Sequence, residues 1–152
     1  MQIDLRNNRL SDLPNEITEL INLKEMKLDY NFISNLPNNI HHLKSLELFS
    51  ASQNNLKLIP HKLLSVTSLS HLILNDNKIN QLQSKIGSLT NLRTLFLHHN
   101  YIVDVPSSMY NIKSLEQFSL DWFSYLFNET MQFQTKVLKG KMENLDSSQL
   151  FE

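Results

Sequence analysis

An asparagine recurs at Asn8, Asn31, Asn54, Asn77 and Asn100, each 23 residues after the one before, and a strict period of this length leaves few architectures open. One such unit is too short to enclose a core of its own. Successive units must therefore stack, so that each covers the apolar face of its neighbour. The apolar positions keep the same phase. Leu23, Leu46, Leu69, Leu92 and Leu115 form one column; Ile3, Met26, Phe49, Leu72, Leu95 and Phe118 a second; Leu5, Leu28, Ala51, Leu74, Leu97 and Leu120 a third.

Within a unit, Glu25-Met26-Lys27-Leu28 alternates polar and apolar residues with the period of two that a strand requires, which sends Met26 and Leu28 to the same side. One short strand per unit is predicted. The later half of each unit carries Pro14, Pro37, Pro60 and Pro106, with Gln83 at the equivalent place in the remaining unit. Proline fixes φ and suits the first turn of a short helical or irregular segment. The asparagine column calls for a different explanation. A buried carboxamide offers two donors and an acceptor, enough to satisfy backbone groups where the chain leaves the strand and turns.

Units that read LxxLxLxxNxLxxLPxxIxxLxx, as in Leu92-Arg93-Thr94-Leu95-Phe96-Leu97-His98-His99-Asn100-Tyr101-Ile102, resemble the leucine-rich-repeat family. The LPxxI form is similar to the repeats of intracellular Ras-pathway scaffolds and of GTPase- and kinase-associated regions. The resemblance implies an α/β, right-handed solenoid: a horseshoe arc with a parallel concave β-sheet, an asparagine ladder and a C-terminal helical cap.

On this reading residues 1–122 are the repeats: one partial N-terminal unit, four full units and the start of a terminal unit. Phe123 then stands where the next asparagine is due. Phe123, Leu126, Phe127, Thr130, Met131 and Leu138 follow helical spacing, and Gly140 suits a C-cap. Residues 123–152 are accordingly expected to form a helical cap and a linker. Gln2-Ile3-Asp4-Leu5 opens in mid-strand, so the chain is expected to continue into further domains.

Composition narrows the function. A net charge of −1 supplies no field for gathering phosphates, so nucleic acid is not expected as a partner. No apolar run reaches membrane-spanning length and the start lacks a leader pattern, so no membrane insertion is expected. The absence of cysteine fits a reducing, cytoplasmic setting. With two glycines in the whole chain and no nucleophile elbow, neither a phosphate loop nor a hydrolytic centre is expected: no catalytic residues and no cofactor.

The surface residues carry what remains. Asp4, Lys27, Ser50, Ile73, Phe96 and Ser119 are predicted to project from the concave sheet, beside Gln2, Glu25, Leu48, His71, Thr94 and Gln117. Among them Leu48, Ile73 and Phe96 are expected to form an exposed apolar patch, the usual mark of a partner site, although single apolar residues also decorate any surface. Past the strands, Asp76, His99 and Trp122 fall in one column, next to His98 and Asp121 in another. The predicted partner surface is thus Leu48, His71, Ile73, Phe96, Asp76, His98, His99, Asp121 and Trp122, with Trp122 alternatively serving the cap. Asp76, His98, His99 and Asp121 also include metal-ligating residue types, but successive strand residues point to opposite sides, and no metal site is expected. His41 and His42 are read as solvated positions without a role.

The function expected is a non-catalytic protein recognition module, a scaffold or adaptor in intracellular signalling that takes a protein partner on its concave face. The alternative is a regulatory or substrate-holding segment of a larger kinase- or GTPase-containing protein.

Overall fold

The computed structural model describes residues 1–120. The helical cap expected over 123–152, and the side chains of Asp121 and Trp122, lie outside the described residues.

Six three-residue strands, β1 (Gln2–Asp4), β2 (Glu25–Lys27), β3 (Leu48–Ser50), β4 (His71–Ile73), β5 (Thr94–Phe96) and β6 (Gln117–Ser119), form one parallel sheet in chain order. Each residue pairs with the one 23 positions later, as in Met26 with Phe49 and Leu72 with Leu95. The sequence period and the register are therefore the same fact. Backbone hydrogen bonds carry the ladder past the strand ends, through Leu28 N–H to Ser50 O at 2.8 Å and Leu74 N–H to Phe96 O at 2.9 Å.

The middle residue of each strand points inward. Met26, Phe49, Leu72 and Leu95 are fully buried, together with Leu28, Ala51, Leu74 and Leu97 from the next inward column. Ile3, Leu5, Phe118 and Leu120, at the two ends of the stack, pack against this core and are only partly buried. Unit three holds both a phenylalanine in one column, Phe49, and the smallest residue of the other, Ala51. Both are fully buried, so the extra ring volume at 49 is matched by the missing carbons at 51.

The outer segments differ in kind from regular α-helix. Among the described residues they are 3-10 turns of three to five residues: Asn15–Glu19, Ile40–His42, Leu63–Ser65, Ser84–Ser88 and Ser107–Asn111. A 23-residue unit that also holds a strand and two turns has no room for more, and 3-10 geometry suits such short pieces. Pro14 and Pro106 precede their turns with φ/ψ of −65/147 and −68/145 degrees. Gln83 adopts nearly the same values, −72/145 degrees, and its side-chain amide donates to Ile59 O at 3.1 Å. The missing proline is thereby replaced by a hydrogen bond to the preceding unit.

The ladder of asparagines is present as a hydrogen-bonded column. Asn54 Oδ1 accepts from Ile33 N–H at 2.9 Å, and its Nδ2 donates to Leu28 O, Ala51 O and Ser52 O. Asn31, Asn77 and Asn100 repeat the pattern one unit apart. Each ties its own turn to the unit before it, where backbone groups would otherwise be buried without partners. Asn8 is exposed and donates only within its own unit, to Leu5 O and Arg6 O.

Candidate functional site

The strand face presents two outward columns, one on each side of the buried middle residue. The register places Ile73 directly between Ser50 and Phe96, and Leu48 beside His71. Ile73 and Phe96 are therefore immediate neighbours, whereas Leu48 stands in the other column, diagonal to Ile73. None of the three is fully exposed. All are half-buried, as is His71, and Ser50 and Thr94 are buried at 6% exposure each. The expectation of an openly exposed patch is corrected accordingly. Strands about 4.8 Å apart put side chains of one column flank to flank, so large neighbours cover one another and the small polar residues between them.

Charge is distributed unevenly along this face. Its N-terminal part holds two ion pairs: Arg6 with Asp4 at 2.7 Å, and Lys27 with Glu25 at 3.0 Å. The guanidinium grips the Asp4 carboxylate through Nε and Nη2, and these hydrogen bonds hold its pKa at about 2, well below the usual carboxylate value. Units three to five carry apolar Leu48, Ile73 and Phe96 instead. A charged, internally paired end thus adjoins an apolar middle.

The rim past the strands has a feature that residue types did not announce. Asn7, Tyr30, Gln53, Asp76 and His99 all have φ between 53 and 58 degrees. This left-handed conformation turns the chain out of each strand just before the ladder asparagine. Asn, Asp and His are the non-glycine residues most often found there; Tyr and Gln adopt it at a cost. The alternation of the strand still sends Leu97 inward and leaves His98 half-buried on the other side, and it breaks at His99. The rings of His98 and His99 consequently lie edge to face with centroids 5.0 Å apart. His99 Nδ1 is 2.8 Å from Asp76 Oδ1, and His98 Nδ1 is 2.8 Å from Ser119 Oγ. Asp29 makes the same reach as His98, three units earlier in the stack: it accepts from Ser50 Oγ and from Ser52 N–H.

The structure thus brings Asp76, His98 and His99 together at one rim and Ile73 beside Phe96 on the face. Asp121 and Trp122 fall outside the described residues. The exposed aromatic residues that the sequence reading passed over are Tyr30, Phe32 and Tyr101, each 58–61% exposed. Their signal was a large apolar side chain flanking the ladder asparagine, at Tyr30 and Phe32 around Asn31 and at Tyr101 after Asn100.

Residues 67–122 match the family described as leucine rich repeat. Over those residues the chain is similar to leucine-rich repeats. Solved leucine-rich-repeat structures superpose on the chain. A leucine-rich-repeat protein of Leptospira interrogans is 28% identical, with a TM-score of 0.66 over 79% of this chain and 36% of that one. An internalin C2 of Listeria monocytogenes is 30% identical, with a TM-score of 0.65 over 72% of this chain and 47% of that one. The complex of PEPR1 with AtPEP1 is 28% identical, with a TM-score of 0.68 over 75% of this chain and 17% of that one. The chain spans less than half the length of each. No curated protein sequence matches it. Among the described residues, no helix is long and apolar enough to cross a membrane.

Proposed function

We propose that this chain is a non-catalytic recognition module whose leucine-rich repeats take a protein partner on the concave strand face. The observation that carries the reading is the side-by-side placement of Ile73 and Phe96 on a face where Asp4 and Glu25 are ion-paired and Asp29 is hydrogen-bonded to Ser50 and Ser52. Burying such a strip against a partner removes apolar area from water at about 25 cal/mol per Å² without stranding a charge. Leu48 and His71 extend the strip; Asp76, His98 and His99 supply directional polar contacts at its edge. Leucine-rich repeats are generally protein-interaction modules, and one solved relative is a complex, that of PEPR1 with AtPEP1.

The LPxxI form of the units and the lack of cysteine in all 152 residues favour a scaffold or adaptor working in intracellular signalling. The test is affinity capture from source cells with the wild-type chain, with Ile73→Glu/Phe96→Glu, and with Glu19→Lys/Lys85→Glu on the outer turns. The proteins retained by wild type should be lost about tenfold or more with the strand-face variant, equivalent to 1.4 kcal/mol, and kept by the outer variant. Equal retention by all three chains, each folded by circular dichroism, would show that the strand face is not the site.

A further inference from the structure

We infer that Asp76, His98 and His99 form a binding site for a single borderline divalent metal ion of the zinc type. One ligand atom from each residue falls within 4.8 Å of the others, and among the described residues this is the sole such group of three. The donor set is two imidazoles and a carboxylate, the combination that selects zinc and its neighbours over magnesium or calcium, which prefer oxygen throughout.

The backbone explains why residues from two different units converge. Asp76 and His99 occupy the same place in successive units, in the same left-handed conformation, with φ of 53 and 55 degrees. The stacking of the solenoid therefore sets them side by side, and His99 Nδ1 already lies 2.8 Å from Asp76 Oδ1. His98 comes from the strand side of the same turn. The strand alternation that argued against a metal site reaches His98 but not His99, whose left-handed backbone turns its ring back beside that of His98.

The distances fit with small adjustments. Bonds of about 2.0–2.2 Å in a tetrahedral site set ligand atoms about 3.2–3.6 Å apart. The His99–Asp76 pair, at 2.8 Å, is slightly closer than that spacing, and all three ligand atoms lie within 4.8 Å of one another. His99 has the freedom to adjust, since its side chain is 60% exposed. His98 is held by Ser119: the tautomer in which Nδ1 donates to Ser119 Oγ leaves the Nε2 lone pair free and fixes the ring, the outer support typical of metal-ligating histidines. Three protein ligands leave a fourth position for water or for a donor from outside the chain.

This inference does not depend on the strand-face reading, because the probe is the metal alone. The full chain is titrated with zinc chloride by isothermal calorimetry, alongside Asp76→Asn, His98→Gln and His99→Asn, the last chosen because Asn tolerates the left-handed backbone. A His41→Gln/His42→Gln variant serves as control, since those two rings also touch, at 4.5 Å between centroids. The expected result is one zinc per chain, affinity lowered about tenfold or more by each of the three substitutions, no loss in the control, and no measurable uptake of magnesium or calcium. Nitrogen chemical shifts of the His98 and His99 rings should move on zinc addition. The assignment is overturned by absence of zinc binding, by binding that survives the three substitutions, by loss in the control, or by equal affinity for calcium.

Discussion

The carboxamide oxygen of Asn77 accepts the backbone N–H of Leu56 at 3.0 Å, reaching back 21 residues into the preceding unit. The same side chain donates to Ala51 O, Leu74 O and Asn75 O at 2.8–3.1 Å. Its loss would strand buried groups in two units at once, each worth about 1–3 kcal/mol when unsatisfied. Asn77→Ala should lower the stability of the chain in urea by about 2–4 kcal/mol, whereas Asn8→Ala, at an exposed position, should cost under about 1 kcal/mol. Equal effects at the two sites would contradict the ladder as a source of stability.

Gly87 lies where two outer turns come closest. A Cβ built there would stand 2.4 Å from Ser108 O and 2.8 Å from Ser108 Cβ, and the first of these is backbone that cannot swing aside. Gly87→Ala should therefore push Ser107–Asn111 outward and cost about 1–3 kcal/mol. Hydrogen exchange should show the opening confined to these two turns. An unchanged denaturation midpoint would mean that the turns are less tightly apposed than the structure places them.

Gln53 is exposed and has φ of 54 degrees, where its Cβ meets the following carbonyl. Glycine has no such conflict, and relief of the left-handed strain outweighs its greater unfolded-state entropy. Gln53→Gly is expected to raise stability by about 0.5–1 kcal/mol, while the same exchange at Lys85, within a 3-10 turn of ordinary φ, lowers it. Thermal melts of the two variants separate the cases by sign.

Asp4 titrates at about 2 in the folded chain against 3.8 for the free group, chiefly because its carboxylate accepts from the Arg6 side chain. A depressed carboxylate favours the folded state above the unfolded value. That contribution is complete above pH 3.8 and is lost as pH falls from there through 2. Carbon NMR of the Asp4 carboxyl should give a midpoint near 2, moving up towards 3.8 in Arg6→Ala. A midpoint already near 3.8 in the wild-type chain would exclude the ion pair in solution.

The stack and the strand register were legible in the sequence, because a period of 23 puts the same residue type into the same environment in every interior unit. Asn31, Asn54, Asn77 and Asn100 follow that rule, whereas Asn8, with no unit before it in the stack, is exposed. Met26, Phe49, Leu72 and Leu95 could be assigned to the core from their column alone. What the period could not reveal was local. Tyr30, Gln53 and His99 share a left-handed backbone that nothing in their chemistry advertises, so the convergence of His98 and His99 contradicted strand alternation. Leu48, Ile73 and Phe96 lie in the strands, and their mutual shielding depends on strand spacing and on which column each occupies. The outer segments read as helical or irregular, and the shortness of the unit made them 3-10 turns.

The central claim is that the strand face, and not the outer turns, meets the partner. A photo-crosslinking phenylalanine analogue placed at position 73 or 96, or at position 85 on the outer surface, tests it in source-cell extract. The account predicts ultraviolet-dependent adducts to the same protein from positions 73 and 96, identified by mass spectrometry, and none from 85. Adducts from position 85 with none from 73 and 96 would contradict it.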